Sequence, residues 1–299
     1  MHAVSAACIP EVEAVDFKKR FIPEELTPLY YTPAYQELTE EQKLRYNQLH
    51  GLYFNEQIIF FEATMGETVL DALLQAPWPS RIQDGLRRMR EEEREHTRMF
   101  RRLNRLCAPH LYSTSDFYFV RAPRGWMAIG NWVARRPLFF PLFLWLMLLQ
   151  EERSLYFARA FVREQASLEP HFVETQRLHS EDEAGHVRMG EELIEMLWRD
   201  AAPYRRRINA GLFSWMLREF FNTPKRAQVR VVQELVREFP ELRPRQTSMK
   251  DQMLALEHNV EFQMSLYSRE IVPRTFARFD EWPEFRALGI CGYQAKEAR

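Results

Sequence analysis

Cysteine is scarce in this chain: Cys8, Cys107 and Cys291 are the only three, and they stand far apart. That excludes a Cys-x-x-Cys iron or zinc site, and an odd, scattered set fits a reducing compartment, so a cytoplasmic location is expected. There is no excess of charge of either sign. A net charge of −1 and a pI near 6.7 give no bias toward polyanions, so nucleic acid is not an expected partner. Met1 to Pro10 lacks a basic stretch followed by an apolar one and does not read as a secretory signal. No glycine-rich phosphate loop and no serine nucleophile elbow occurs. The longest apolar run, Pro137 to Leu149, has thirteen residues and two prolines and ends in Gln150-Glu-Glu-Arg153. A membrane span needs about 20 residues, so this run reads as a buried central helix and no membrane partner is expected.

What is present is helical periodicity. Residues 1–38, rich in proline, tyrosine and charge, read as an extended arm. Thr39-Glu-Glu-Gln42 is a capping box opening a long helix through Glu62, weakened slightly by Gly51 and Gly66. A second such box, Ser80-Arg-Ile-Gln83, opens a helix to about Cys107. Its arginines from Arg87 to Arg105 form a basic stripe that reads as a solvated face balanced by Glu91 and Glu92. After a connection over 108–124, a short helix is expected over Gly125 to Arg136. A third long helix then runs to about Ser167, and a fourth runs from Pro170 to about Arg199. Helices over 203–221, 224–239 and 247–272 would cover the bundle and leave room for a homodimer contact. The expected class is all-α, with a four-helix bundle over 39–200 and covering helices over 201–299.

The chemistry sits in His179-Ser-Glu-Asp-Glu183-Ala-Gly-His186. On a helix, His179, Glu183 and His186 share one face, and an earlier Glu93-x-x-His96 repeats the core of the pattern. With 34 glutamates and 8 histidines, chance supplies about one Glu-x-x-His unit, so the motif alone says little. The surroundings add weight. Glu62 lies in the apolar run Ile58 to Met65, and Glu152 follows the apolar run that ends at Gln150. Moreover, 31 residues separate both Glu62 from Glu93 and Glu152 from Glu183. That is roughly 46 Å of helix, enough to run up one helix and return to the same height. Each hairpin would supply one lone glutamate and one Glu-x-x-His. The equal spacing selects Glu62 over Glu56 or Glu67, and Glu152 over Glu151. Four buried carboxylates persist only with compensating charge, most simply two divalent cations. Salt bridges to buried arginines are the competing account.

Glu62, Glu93-x-x-His96, Glu152 and Glu183-x-x-His186 resemble the carboxylate-bridged di-iron proteins of the ferritin-like superfamily, over about residues 39 to 200. With His179, the pattern His-x-x-x-Glu-x-x-His on the fourth helix is similar to the arylamine N-oxygenases, the p-aminobenzoate N-oxygenase family. The resemblance implies seven ligands, Glu62, Glu93, His96, Glu152, His179, Glu183 and His186, holding two iron ions, with manganese as the second choice. It implies that Asp182 orients His96 and Glu92 orients His186 from the opposite hairpin. No catalytic residue beyond the metal ligands is expected.

The activity so implied is that of a non-haem di-iron oxygenase. It would draw electrons from an external ferredoxin- or flavin-type reductase and activate O2 as a peroxo-diferric species. It would then oxidise the nitrogen of an aromatic or heteroaromatic amine to a hydroxylamine or nitro group. Related chemistries fit less well. Ribonucleotide reductase radical subunits carry a tyrosine where this chain has Phe100. Hydrocarbon monooxygenases carry a threonine where it has Tyr156, and rubrerythrins carry paired cysteines. A carbon hydroxylase or desaturase and an iron-storage protein are the alternatives, the latter disfavoured by the hundred residues beyond the bundle.

Overall fold

The computed structural model describes residues 14–121, 123–221 and 225–295. Expectations placed on residues 1–13, including Cys8 and the reading of Met1 to Pro10, lie outside them, as does Pro224. The helices in chain order are α1 (Pro33–Gln36), α2 (Glu40–Phe60), α3 (Glu67–Leu73), α4 (Ser80–Cys107), α5 (Arg124–Ala134), α6 (Leu142–Arg163), α7 (Pro170–Arg199), α8 (Pro203–Met216), α9 (Lys225–Glu238), α10 (Gln246–Ala255), α11 (Val260–Leu266) and α12 (Pro273–Asp280). A π-helical turn, Phe61–Gly66, joins α2 to α3. No strand occurs among the described residues, only two isolated bridges. The chain is all-α with the ferritin-like arrangement of two antiparallel hairpins.

The first hairpin pairs α2 with α4 and the second pairs α6 with α7. α4 and α7 run antiparallel across the seam, with Arg81 bonded to Glu192 at one end and His96 to Asp182 near the middle. α2 meets α6 through Phe54, whose ring lies 6.1 Å from Phe157 and 6.3 Å from Phe161. α2 starts as expected. Gln42 N donates to Thr39 Oγ1 at 3.2 Å and Thr39 N to Gln42 Oε1 at 3.0 Å. The second capping box does not form, because Pro79 takes the cap position and Gln83 Nε2 donates instead to the Leu74 carbonyl. The apolar run becomes the first two turns of α6, buried from Leu142 to Leu149 around Trp145, Trp198 and Phe285. Among the described residues no helix is long and apolar enough to cross a membrane. The basic stripe of α4 is ion-paired at the surface, Arg90 with Asp71, Arg94 with Glu67 and Arg105 with Asp116.

Two expectations need correction. The segment 14–38 is not plainly extended: 3-10 turns at Glu24–Leu26 and Pro28–Tyr31 precede α1. The single helix expected over 247–272 is broken after Leu256–His258, where the Asn259 side chain accepts from Phe262 N and starts α11. The backbone amides beyond that break are capped by a local side chain, which favours a new helix over a continued one.

The N-terminal segment is fastened by Asn47 of α2. Its Oδ1 accepts from Phe21 N at 2.8 Å and Ile22 N at 3.2 Å, and its Nδ2 donates to Ile22 O at 2.8 Å, all buried. Asn47→Ala strands these three backbone groups and should cost roughly 2–4 kcal/mol. The check is a lowered urea midpoint at unchanged slope; a midpoint equal to the parent's would show that the segment is held otherwise.

Candidate metal centre

The ligand types expected from the sequence meet in the middle of the bundle, and none of the seven side chains involved is more than 5% exposed. Glu62 comes from the start of the π turn, Glu93 and His96 from α4, Glu151 from α6, and His179, Glu183 and His186 from α7. Glu62, His96, His179 and Glu183 offer atoms all within 4.8 Å of one another, and Glu93, Glu151 and His186 form a second such group. Glu183 faces both. Its Oε1 lies 2.9 Å from His179 Nε2 and its Oε2 lies 3.3 Å from His186 Nδ1. Glu93 lies between His186 and His96, 3.5 Å from His186 Nδ1 and 3.9 Å from His96 Nδ1. His179 Nε2 reaches Glu62 Oε1 at 3.0 Å.

One expected ligand is elsewhere. Glu151, not Glu152, enters the cluster. Successive residues on a helix point about 100° apart, and Glu152 turns to the start of α12. There it accepts from Arg274 N at 2.7 Å and from Thr275 N and Oγ1 at 2.8 Å, filling the orphan donors of that helix end. The equal-spacing rule failed because the hairpins are not equivalent: the first carries the π turn and the separate helix α3 between Glu62 and α4, whereas the second passes directly from α6 to α7. The comparison made at Tyr156 shifts too. One turn beyond Glu151 is Leu155, again not a threonine, while the Tyr156 hydroxyl bonds Glu270 at the surface.

Each imidazole is oriented from behind. His96 Nε2 lies 3.3 Å from Asp182 and His186 Nε2 lies 3.0 Å from Glu92, both across the hairpin seam, leaving each Nδ1 inward. His179 is held the other way round. Its Nδ1 meets Ser154 Oγ at 3.2 Å and its Nε2 faces inward. Ser154, one turn from Glu151, was not foreseen, and no motif marks it. Phe100 packs edge-on against His179, ring centres 5.1 Å apart.

The protein groups alone leave this cluster unresolved. Burial pushes the Glu62 carboxyl up to about 7, with Glu93 adding to it. Burial acts to lower the histidines, but Asp182 and Glu93 hold His96 at about 10, Glu183 holds His179 at about 9, and Glu183 with Glu92 holds His186 at about 11. Burial and the neighbouring Glu183 and Glu93 drive Glu151 far up. Glu183, though desolvated, stays ionised beside His179, Glu151 and His186. Even so, Glu93 Oε2, both Glu183 oxygens, His96 Nδ1 and His186 Nδ1 have no hydrogen-bond partner. Orphaned buried atoms of this kind cost about 1–3 kcal/mol each, more when charged. Buried arginines do not provide the compensation, since no lysine or arginine is buried among the described residues. Four carboxylates match two divalent cations in charge, and the orphaned oxygens and nitrogens are metal-ligand atoms aimed at one place. The residues fit such a pair.

A protein-family model described as p-aminobenzoate N-oxygenase AurF matches residues 10–268. A search of curated proteins found no match.

Iron analysis of the purified protein should give about two ions per chain. Glu151→Ala and Glu152→Ala separate ligand from helix cap: the first should lose most of the iron, and the second should keep it while unfolding at a lower temperature. Loss of iron in Glu152→Ala alone would return the ligand role to Glu152.

Proposed function

The chain belongs to the p-aminobenzoate N-oxygenase AurF family, and we propose that it is a non-haem di-iron oxygenase acting on the nitrogen of an aromatic or heteroaromatic amine. The product is a hydroxylamine or nitro compound. The observation that supports this reading most is the cluster itself: carboxylates and imidazoles, buried, mutually facing and short of partners. Glu62, Glu93, His96, Glu151, His179, Glu183 and His186 hold the metals, with Glu93 and Glu183 placed between the two groups. Two iron ions there supply the redox chemistry that activates O2.

The remaining work falls to this chain's own side chains. Asp182 and Glu92 accept the Nε2 protons of His96 and His186, which fixes the tautomer and leaves Nδ1 as the donor atom. Ser154 does the same at Nδ1 of His179 with a neutral hydroxyl, so the third imidazole is the less basic ligand. Phe100 closes the side next to His179 and, having no phenol, offers no group that oxidises in place of the substrate. The buried apolar layers around the site keep out water, which would otherwise compete for the oxidant. Electrons enter from a separate ferredoxin- or flavin-type reductase.

The iron-loaded, chemically reduced protein, given 18O2 and a panel of arylamines, should yield hydroxylamine or nitro products carrying the label, and Glu183→Ala should yield none. Oxygen delivered to carbon instead would make the protein a hydroxylase. Iron accumulating far beyond the two-ion complement without any oxygenated product would make it a storage protein.

A further inference from the structure

Two turns along the bundle from the metal ligands lies a second set of unpartnered buried atoms. Asn55 precedes Glu62 by seven residues and Gln176 precedes Glu183 by seven, so each shares a face with its ligand, roughly 10 Å further along. The level is fixed by contacts on either side. Below it, a Cβ placed on Gly51 would lie 3.3 Å from Phe172 Cε1. Above it, Glu62 meets His179 at 3.0 Å. Asn55 and Gln176 stand one turn above Gly51 and Phe172, on two parallel helices.

Both side chains are buried and incompletely bonded. Gln176 Nε2 and Oε1 and Asn55 Oδ1 have no partner. The Asn55 amide cannot be turned to hide this. Asn104 Nδ2 donates to the Leu52 carbonyl at 3.2 Å, so its Oδ1 faces Asn55 and takes the Asn55 Nδ2 donor at 2.9 Å. That leaves Asn55 Oδ1 as a fixed acceptor. Gln176 adds a donor and an acceptor. No lysine or arginine is buried among the described residues.

We propose that Asn55 and Gln176 form the subsite for the far end of the amine substrate, and that it takes a neutral hydrogen-bonding group such as a carboxamide and rejects a carboxylate. The inference rests on the N-oxygenase reading given above. A primary amide donates N–H to Asn55 Oδ1 and accepts from Gln176 Nε2, resolving two of the three orphaned atoms. A carboxylate there faces the Asn55 acceptor and meets no cation, and a buried unpaired carboxylate costs several kcal/mol. The distance along the helices suits one aromatic ring with its nitrogen at the metals.

Anaerobic calorimetry on the iron-loaded protein with p-aminobenzamide, p-aminobenzoate and aniline tests this. p-Aminobenzamide should bind at least about tenfold more tightly than p-aminobenzoate at neutral pH. Gln176→Leu should remove about tenfold from the benzamide affinity and leave aniline unchanged, while Gln176→Lys should turn the preference toward the benzoate. Equal or tighter benzoate binding by the parent overturns the proposal, as does failure of the benzamide to bind or a benzamide affinity indifferent to Gln176→Leu. Should a variant not fold, the parent's preference still decides. N-oxygenation of aniline without discrimination between the benzoic compounds discards the subsite and keeps the proposed activity. Discrimination without oxygenation of any amine does the reverse.

Discussion

Four carboxylates confined to one dry volume are the constraint on which the rest of this bundle depends. The structure shows how the chain treats a buried glutamate when no ion is intended. Glu56 accepts from the Tyr112 hydroxyl and the backbone amides of Tyr118, Phe119 and Val120, and so pins the crossing between the hairpins. Glu152 accepts from the start of α12, and Glu169 from the amides of His171 and Phe172 at the start of α7. All three are satisfied by N–H or O–H donors. In the cluster, one oxygen of Glu93 and both oxygens of Glu183 have no hydrogen-bond partner.

The surroundings of the cluster are arranged to the same end. Asp182 and Glu92 each reach across the seam to the other hairpin's histidine, so the pairing that orients the ligands also locks α4 to α7. Ser154 ties α6 to His179. Glu62 is the second residue of a π-helical turn, a wider coil that re-aims a side chain without breaking the helix.

Much of this was legible in the sequence because helix periodicity and ligand spacing report on the same object. The start of α7 followed from Pro170 and the extent of α4 from the Ser80 pattern, although that box does not form, and the stripe of His179, Glu183 and His186 followed from the 3.6-residue repeat. The choice between Glu151 and Glu152 was not legible, because adjacent glutamates differ only in helical phase and equal sequence spacing does not give equal phase in two hairpins built differently. The role of Glu152 was hidden for a further reason: its partners, Arg274 and Thr275, lie more than a hundred residues away in α12, which begins just past the last expected helix, 247–272. Ser154 and the Asn55–Gln176 layer were invisible for the same cause, since a lone serine or amide on an inward face looks like any other until its neighbours are known.

The central claim is that this cluster is a two-metal centre, and anomalous X-ray scattering from crystals of the iron-loaded protein tests it most directly. Data collected either side of the iron edge should show two peaks between α4 and α7, each in contact with Glu93 or Glu183 and with at least one of His96, His179 and His186. A single peak, or iron bound only at the surface with the buried carboxylates in contact with protein alone, would contradict it.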